Sequence, residues 1–496
     1  MAFCRCNSGT SAAGINRPLT TADSRTHTMS SADLQLLATA LASVLILVAL
    51  IVSRIKMHPL LALLVVSVGV GLATGMPADH LIKTVTNGAG KTLGAVGLVV
   101  ALGAMLGKIL ADTGVTEAIA NFILDRTSER GLPWAMSLVA FIIGIPMFFE
   151  VGLVVLLPLI FSVARKLEAS STSRRGSAYM YVGVPVIAAL ASMHGMVPPH
   201  PGPLTAIATL HTSVGATMIY GFISAIPAII LAGPVYTAFI APRLSVRPDE
   251  ALIAQFSQQS QPEAAGASAS ASRPSLGLGL LAALLPALLM LGHAVSELLF
   301  AKTSTVAQVM AFLGNPVTAM LVGVLFALIT LVYAQGGDAE HLQKSLGASL
   351  KPIAGVLLII AGGGAFQQVL TDAKVGDAIV HLSHQFALSP LILGWLIAML
   401  LSVSTGSATV GIVGAAGLLA PLAGSDPSLN LPLLALSIGC GSLFFNYANH
   451  AGFWLVKESF SMTMGEATKT ISIIQSIVAV VGLIMVLLLN LLPALG

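Results

Sequence analysis

Two short stretches put imidazole, hydroxyl and exposed-backbone chemistry inside long apolar tracts. They are His194-Gly195-Met196-Val197-Pro198-Pro199-His200-Pro201-Gly202-Pro203 and Thr405-Gly406-Ser407-Ala408-Thr409-Val410. Free N–H and C=O groups are costly in hydrocarbon, so such backbone survives only where protein surrounds it or where it lines a polar cavity. Paired interruptions in the two halves of a membrane chain point to the site of a transported substrate. The hydroxyls and N–H groups of Thr405, Ser407 and Thr409, set at a helix break, suit a carboxylate and its hydroxylated carbon chain. Close packing of small residues is the plainer alternative.

Glu150 lies within the apolar tract Leu132–Val163. An ionised carboxylate there costs several kcal/mol, so it either holds its proton or faces a polar cavity. It therefore reads as a proton-coupling group, or as a neutral carboxyl bonded to backbone. His194 and His200 raise the question of a metal. No Cys or carboxylate cluster accompanies them, and a usual zinc site needs three or four ligands. A structural histidine, a substrate contact or a protonation site fits better. The four prolines around them forbid a continuous helix. Asn446, Asn449 and His450 form a second polar break, which either contacts substrate or braces the chain, and His450 can titrate near neutral pH.

The elements that position these groups follow from composition. The chain is 56% hydrophobic and 9% charged over 496 residues, with a mean hydropathy of +0.93. Soluble domains carry about 25% charged residues, so the sequence is that of a polytopic membrane protein. Apolar runs of spanning length recur, among them Leu34–Ser53, Met218–Ile240, Leu276–Leu299 and Ile471–Leu492. No basic patch interleaves with aromatics, which argues against nucleic acid. Cys4, Cys6 and Cys440 make no disulfide framework. Gly362-Gly363-Gly364 lacks the Lys-Ser/Thr of a phosphate loop and reads as a close helix approach, so ATP drive is not supported.

Four segments are expected. Residues 1–30 are a disordered polar extension, with Met29 as the expected true start. Residues 31–241 form a first transmembrane half and 276–496 a second. The Gln/Ser/Ala-rich stretch 242–275 between them has linker composition.

The halves look related. Leu110, Asp112, Val115, Ala118 and Ile119 recur 260 positions later as Leu370, Asp372, Val375, Ala378 and Ile379, and Gly103 recurs as Gly363. Basic residues place the first loop (Arg54, Lys56) and the loop with Arg165, Lys166, Arg174 and Arg175 on the cytoplasmic side. Both placements hold only if Leu132–Val163 enters and leaves the membrane on one face, with its tip near Glu150. The counterpart, about Pro390 to Leu422, has its tip at Gly406–Thr409. The expected fold is all-α, with two inverted structural repeats, each holding a re-entrant hairpin and a broken transmembrane helix.

Four motifs carry a family resemblance from about Asp33 to the C-terminus. They are Gly144-Ile145-Pro146-Met147-Phe148-Phe149-Glu150-Val151-Gly152, Pro198-Pro199-His200-Pro201-Gly202-Pro203, Gly406-Ser407-Ala408-Thr409-Val410 and Gly452-Phe453-Trp454-Leu455. In these the chain resembles the gluconate permease (gluconate:proton symporter) family. The resemblance implies proton-coupled import of gluconate or a related sugar acid across the bacterial inner membrane, with no cofactor beyond the proton. It also implies paired hairpins and a homodimer. Some relatives carry D-serine or other small hydroxy acids, which leaves an amino acid permease as the alternative. A membrane-embedded metalloenzyme and a passive channel fit the paired breaks less well. Expected substrate contacts are Gly152, His200, Thr405, Ser407, Thr409, Asn446 and Asn449. Glu150 and His450 are the expected proton-coupling groups.

Two positions depart from the family pattern. His450 stands where an Asp is usual, and Ser402 where a basic residue is usual. Either an ion pair that braces two elements is lost, or the coupling or the substrate differs.

Overall fold

A computed structural model describes residues 31–170, 176–250, 275–301, 303–336, 338–351, 353–374, 389–425, 428–447 and 450–493. The expected extension 1–30, most of the linker, Arg174, Arg175, Val375, Ala378, Ile379 and the candidate Asn449 lie outside the described residues. Within these, the regular structure is helical, and eight helical runs are long and apolar enough to cross a membrane.

The first half runs α1 (Ser31–Val52), α2 (Pro59–Ala73), α3 (Ala78–Thr92), α4 (Leu98–Asp112), α5 (Val115–Leu124), α6 (Leu132–Gly144), α7 (Phe149–Ser170), α8 (Ala178–Met196), α9 (Pro201–Leu210), α10 (Val214–Ile230) and α11 (Tyr236–Ile240). A π-turn at Leu93–Gly97 joins α3 to α4, so Ala78–Asp112 is one helical run of 35 residues. The second half runs α12 (Leu276–Leu299), α13 (Thr305–Leu313), α14 (Pro316–Ala327), α15 (Ala339–Leu350), α16 (Ala354–Asp372), α17 (Pro390–Thr405), α18 (Ala408–Ser425), α19 (Leu431–Gly441), α20 (Ala451–Ser459), α21 (Met464–Ala467) and α22 (Ile473–Leu489).

Local chemistry sets the helix starts. Pro59, Pro201, Pro316 and Pro390 open α2, α9, α14 and α17, where a missing N–H leaves no bond unmade. The side chains of Ser177, Ser213 and Ser275 accept from the backbone N–H three residues on and cap α8, α10 and α12.

The breaks fall where the prolines and glycines are. α6 ends at Gly144 after 13 residues and α17 at Thr405 after 16. At 1.5 Å per residue these are about 20 and 24 Å long, short of a hydrocarbon core of about 30 Å. α6 and α7 both pack on α8, where Gly144 and Gly152 abut the same Leu190 side chain. α17 and α18 pack on each other. α8 and α9 are separated by the Val197–His200 break, which holds a cis Pro198–Pro199 peptide.

The halves interlock. α9 of the first half packs on α18 and α19 of the second, and α20 of the second packs on α7 of the first. α3 packs on α16, and α4 on α15. The triple glycine lets α16 approach both α3 and α18, the close helix approach the sequence indicated. A side chain at Gly363 would strike Val413, and one at Gly364 would strike Thr92 and Gly88.

Candidate functional site

The first break is held together by His200. Its Nε2 lies 2.9 Å from the Gly144 carbonyl at the end of α6, which also accepts from the Met147 N–H at 3.3 Å. A carbonyl can only accept, so Nε2 carries the proton and Nδ1 keeps its lone pair. That Nδ1 is buried with no hydrogen-bond partner among the described residues, as is Nδ1 of His194. The two rings meet edge-on with centroids 6.0 Å apart, and Phe148 closes the other side of His200 at 6.3 Å.

Glu150 lies in the first turn of α7 and is exposed. The sequence leaves two states for it, a carboxyl that keeps its proton or one that faces a polar cavity, and after the Ile145–Phe148 turn its side chain stands in an exposed position. His450 caps α20, with Nδ1 accepting from the Gly452 N–H at 3.1 Å. Gly452 sits against both the His450 and Phe149 rings.

The second break is built from hydroxyls. Gly406 takes the left-handed conformation (φ +70°), and its N–H bonds the Ser402 carbonyl at 2.8 Å, ending α17. The Ser407 hydroxyl accepts from the Val410 N–H at 3.3 Å and opens α18. Thr405 is buried and donates to the Leu401 carbonyl at 2.7 Å. Thr409 is half-buried and its hydroxyl makes no hydrogen bond among the described residues.

These parts converge. A side chain at Gly202, in the first turn of α9, would run into Ile412 in the second turn of α18. The starts of α9 and α18 are therefore neighbours, and so are the starts of α7 and α20 around Gly452. His200 ties the two pairs together through Gly144 and Phe148. Four helix N-termini thus gather in one region, with imidazoles, hydroxyls and one carboxylate. Helix N-termini favour anions, and a lone-pair nitrogen accepts a hydroxyl or a proton.

Two of the expected contacts are turned to other work. Gly152 is filled by Leu190, at 2.8 Å from where a Cβ would stand, so it serves the α7–α8 approach. Asn446 is buried. Its Nδ2 donates to the Ser442 carbonyl at 3.4 Å, and its backbone carbonyl accepts from the Ser472 hydroxyl. Ser402 donates to that same Ser442 carbonyl at 2.5 Å, with Asn446 Oδ1 3.1 Å away. Neutral hydrogen bonds brace these elements here. Lys91 was missed by the sequence reading. The signal was a basic side chain in a helical run that contains a stretch apolar enough to span a membrane.

The GntP family permease model matches residues 34–492. A gluconate permease of Pseudomonas aeruginosa is 39% identical over 93% of this chain and 99% of its own length. A high-affinity gluconate transporter of Escherichia coli is 40% identical over 90% of this chain and 97% of its own. Among solved structures, the YdaH transporter of Alcanivorax borkumensis superposes with a TM-score of 0.60 at 14% identity, over 92% of this chain and 99% of that one. That likeness concerns the fold alone. The chain belongs to the GntP permease family: it is a multi-pass helical membrane transport protein and not an enzyme.

Proposed function

From this membership we propose that the chain imports gluconate, or a closely related sugar acid, across the bacterial inner membrane by proton symport. Gluconate leads because relatives named for it share 39–40% of residues over nearly the whole chain. The site supports this chemically. The helix N-termini near His200 and Ser407 suit a carboxylate. Thr405, Ser407, Thr409 and the unpaired Nδ1 of His200 suit the hydroxyls of a polyol; the candidate Asn449 lies outside the described residues.

The proton reading rests on Glu150 and His450. In its neutral form His450 uses its one lone pair, on Nδ1, to hold the Gly452 N–H. Protonating it therefore requires the α20 cap to open. Glu150 carries no such constraint, and protonation there removes the negative charge beside the incoming anion. The two arms Leu132–Val163 and Pro390–Leu422 act as re-entrant hairpins in oppositely oriented halves, and the site they enclose crosses when it is loaded with proton and substrate.

The deciding experiment is uptake of radiolabelled gluconate into proteoliposomes, with and without an inward proton gradient. Gradient-driven accumulation that collapses with a protonophore supports the reading. Uptake that unlabelled D-serine suppresses and gluconate does not would replace the substrate. Release of altered substrate would point to an enzyme.

A further inference from the structure

At the far end of α9 from His200, the structure has a cavity of about 330 Å³ lined by Lys91, Thr92, Leu204, His211, Thr212 and Gln367 among others. Ligand pockets run from about 300 to 1,000 Å³. The lining contains no carboxylate. Lys91 is exposed and has no hydrogen bond or ion pair among the described residues. The Gln367 side-chain amide and the Thr212 hydroxyl likewise bond nothing there. A cation, an amide and hydroxyls, all unengaged around one cavity, match an anionic polyol.

The cavity and the candidate site share two helices. α9 leads from His200 to His211, a rise of about 15 Å. Gln367 packs on Gly417 of α18, the helix that Ser407 opens.

We propose that this cavity is a vestibule for the carboxylate of a small hydroxylated monocarboxylate, held by the Lys91 ammonium and the Gln367 amide on its way to or from the helix N-termini near His200. The cargo named here rests on the function proposed above; the cavity itself does not.

Two measurements test it. The first is gluconate transport kinetics in proteoliposomes for wild type, Lys91→Ala, Lys91→Arg and Gln367→Leu. A charge-assisted hydrogen bond lost on substrate entry raises KM by about tenfold or more. Lys91→Ala is expected to show that rise with its maximal rate little changed, Lys91→Arg to recover most of it, and Gln367→Leu to show a smaller rise. Added salt should raise the wild-type KM and leave that of Lys91→Ala flat. An unchanged KM in Lys91→Ala overturns the proposal.

The second needs no transport. Acetylation of Lys91 by a water-soluble active ester is followed by peptide mass spectrometry in the purified protein, with gluconate, D-serine or chloride present. Slowing by gluconate supports the vestibule. Equal rates in a protein that transports gluconate overturn it. Protection by D-serine in a protein that transports no gluconate keeps the vestibule and removes the gluconate reading. Neither transport nor protection overturns both.

Discussion

Asp112 and Asp372, 260 positions apart, each accept a hydrogen bond from a hydroxyl in the other half of the chain. Ser345 donates to Asp112, and Thr84 donates to Asp372 at 2.7 Å. Each carboxylate also has a partner four residues back on its own helix. Lys108 bonds Asp112 at 2.6 Å, and Gln368 bonds Asp372 at 2.9 Å. The two aspartates thus do similar work, at the α4–α15 contact and at the α3–α16 contact.

Replacing Asp372 should loosen that second contact. Asp372→Ala leaves the Thr84 hydroxyl, which is buried, without its acceptor. A loss of about 1–2 kcal/mol is expected, read as a lower unfolding temperature in detergent. In a double-mutant cycle with Thr84→Val, additive effects would mean the two groups are not coupled.

Glu150→Gln separates binding from coupling. The amide keeps the size and cannot carry a proton. Gluconate exchange between equal pools should persist, while accumulation driven by a proton gradient should fall to the level of equilibration. Full accumulation by Glu150→Gln would remove Glu150 from the proton path.

His450 has two jobs that substitutions can split. Asparagine caps helices well and alanine does not. His450→Ala should therefore cost about 1 kcal/mol of stability, while His450→Asn should keep the wild-type unfolding temperature. If His450→Asn also keeps proton-driven accumulation, the imidazole is a cap and Glu150 is the carrier.

His211, at the end of α9 beside Lys91, titrates below its ordinary value of 6.5, first because burial disfavours its charged form and then because the Lys91 ammonium repels it. Since the folded state prefers the neutral ring, the stability this group contributes is complete above pH 6.5 and declines as pH falls below it. Lys91→Ala removes the repulsion and should raise the His211 pKa. Carbon-13 NMR of labelled histidine would read the shift, and no change would place Lys91 too far away to matter.

The architecture was legible in the sequence where physics is local. Unpaired backbone is costly in hydrocarbon, so the Pro/Gly clusters at Val197–His200 and Gly406 read as helix breaks, and helices end at both. The triple glycine reads as a close helix approach, and a side chain at Gly363 would strike Val413. Contacts between distant segments were not legible. Nothing in the sequence around Asn446 says that its amide would turn to Ser442 and its neighbour Ser402, or that Leu190 would occupy the space beside Gly152. The openness around Glu150 depends on how a four-residue turn aims the next helix. Lys91 and Gln367 are separated by 276 positions and meet only because α3 packs on α16.

That interlocking also bears on ancestry. A polypeptide of half this length would have no α18 for its α9 and no α20 for its α7. It could bury those surfaces only by docking with a second copy of itself. Fusion of two such copies turns a bimolecular encounter into an intramolecular one, and afterwards frees each copy to diverge. Histidine and proline could then collect at one break while hydroxyls collected at the other tip.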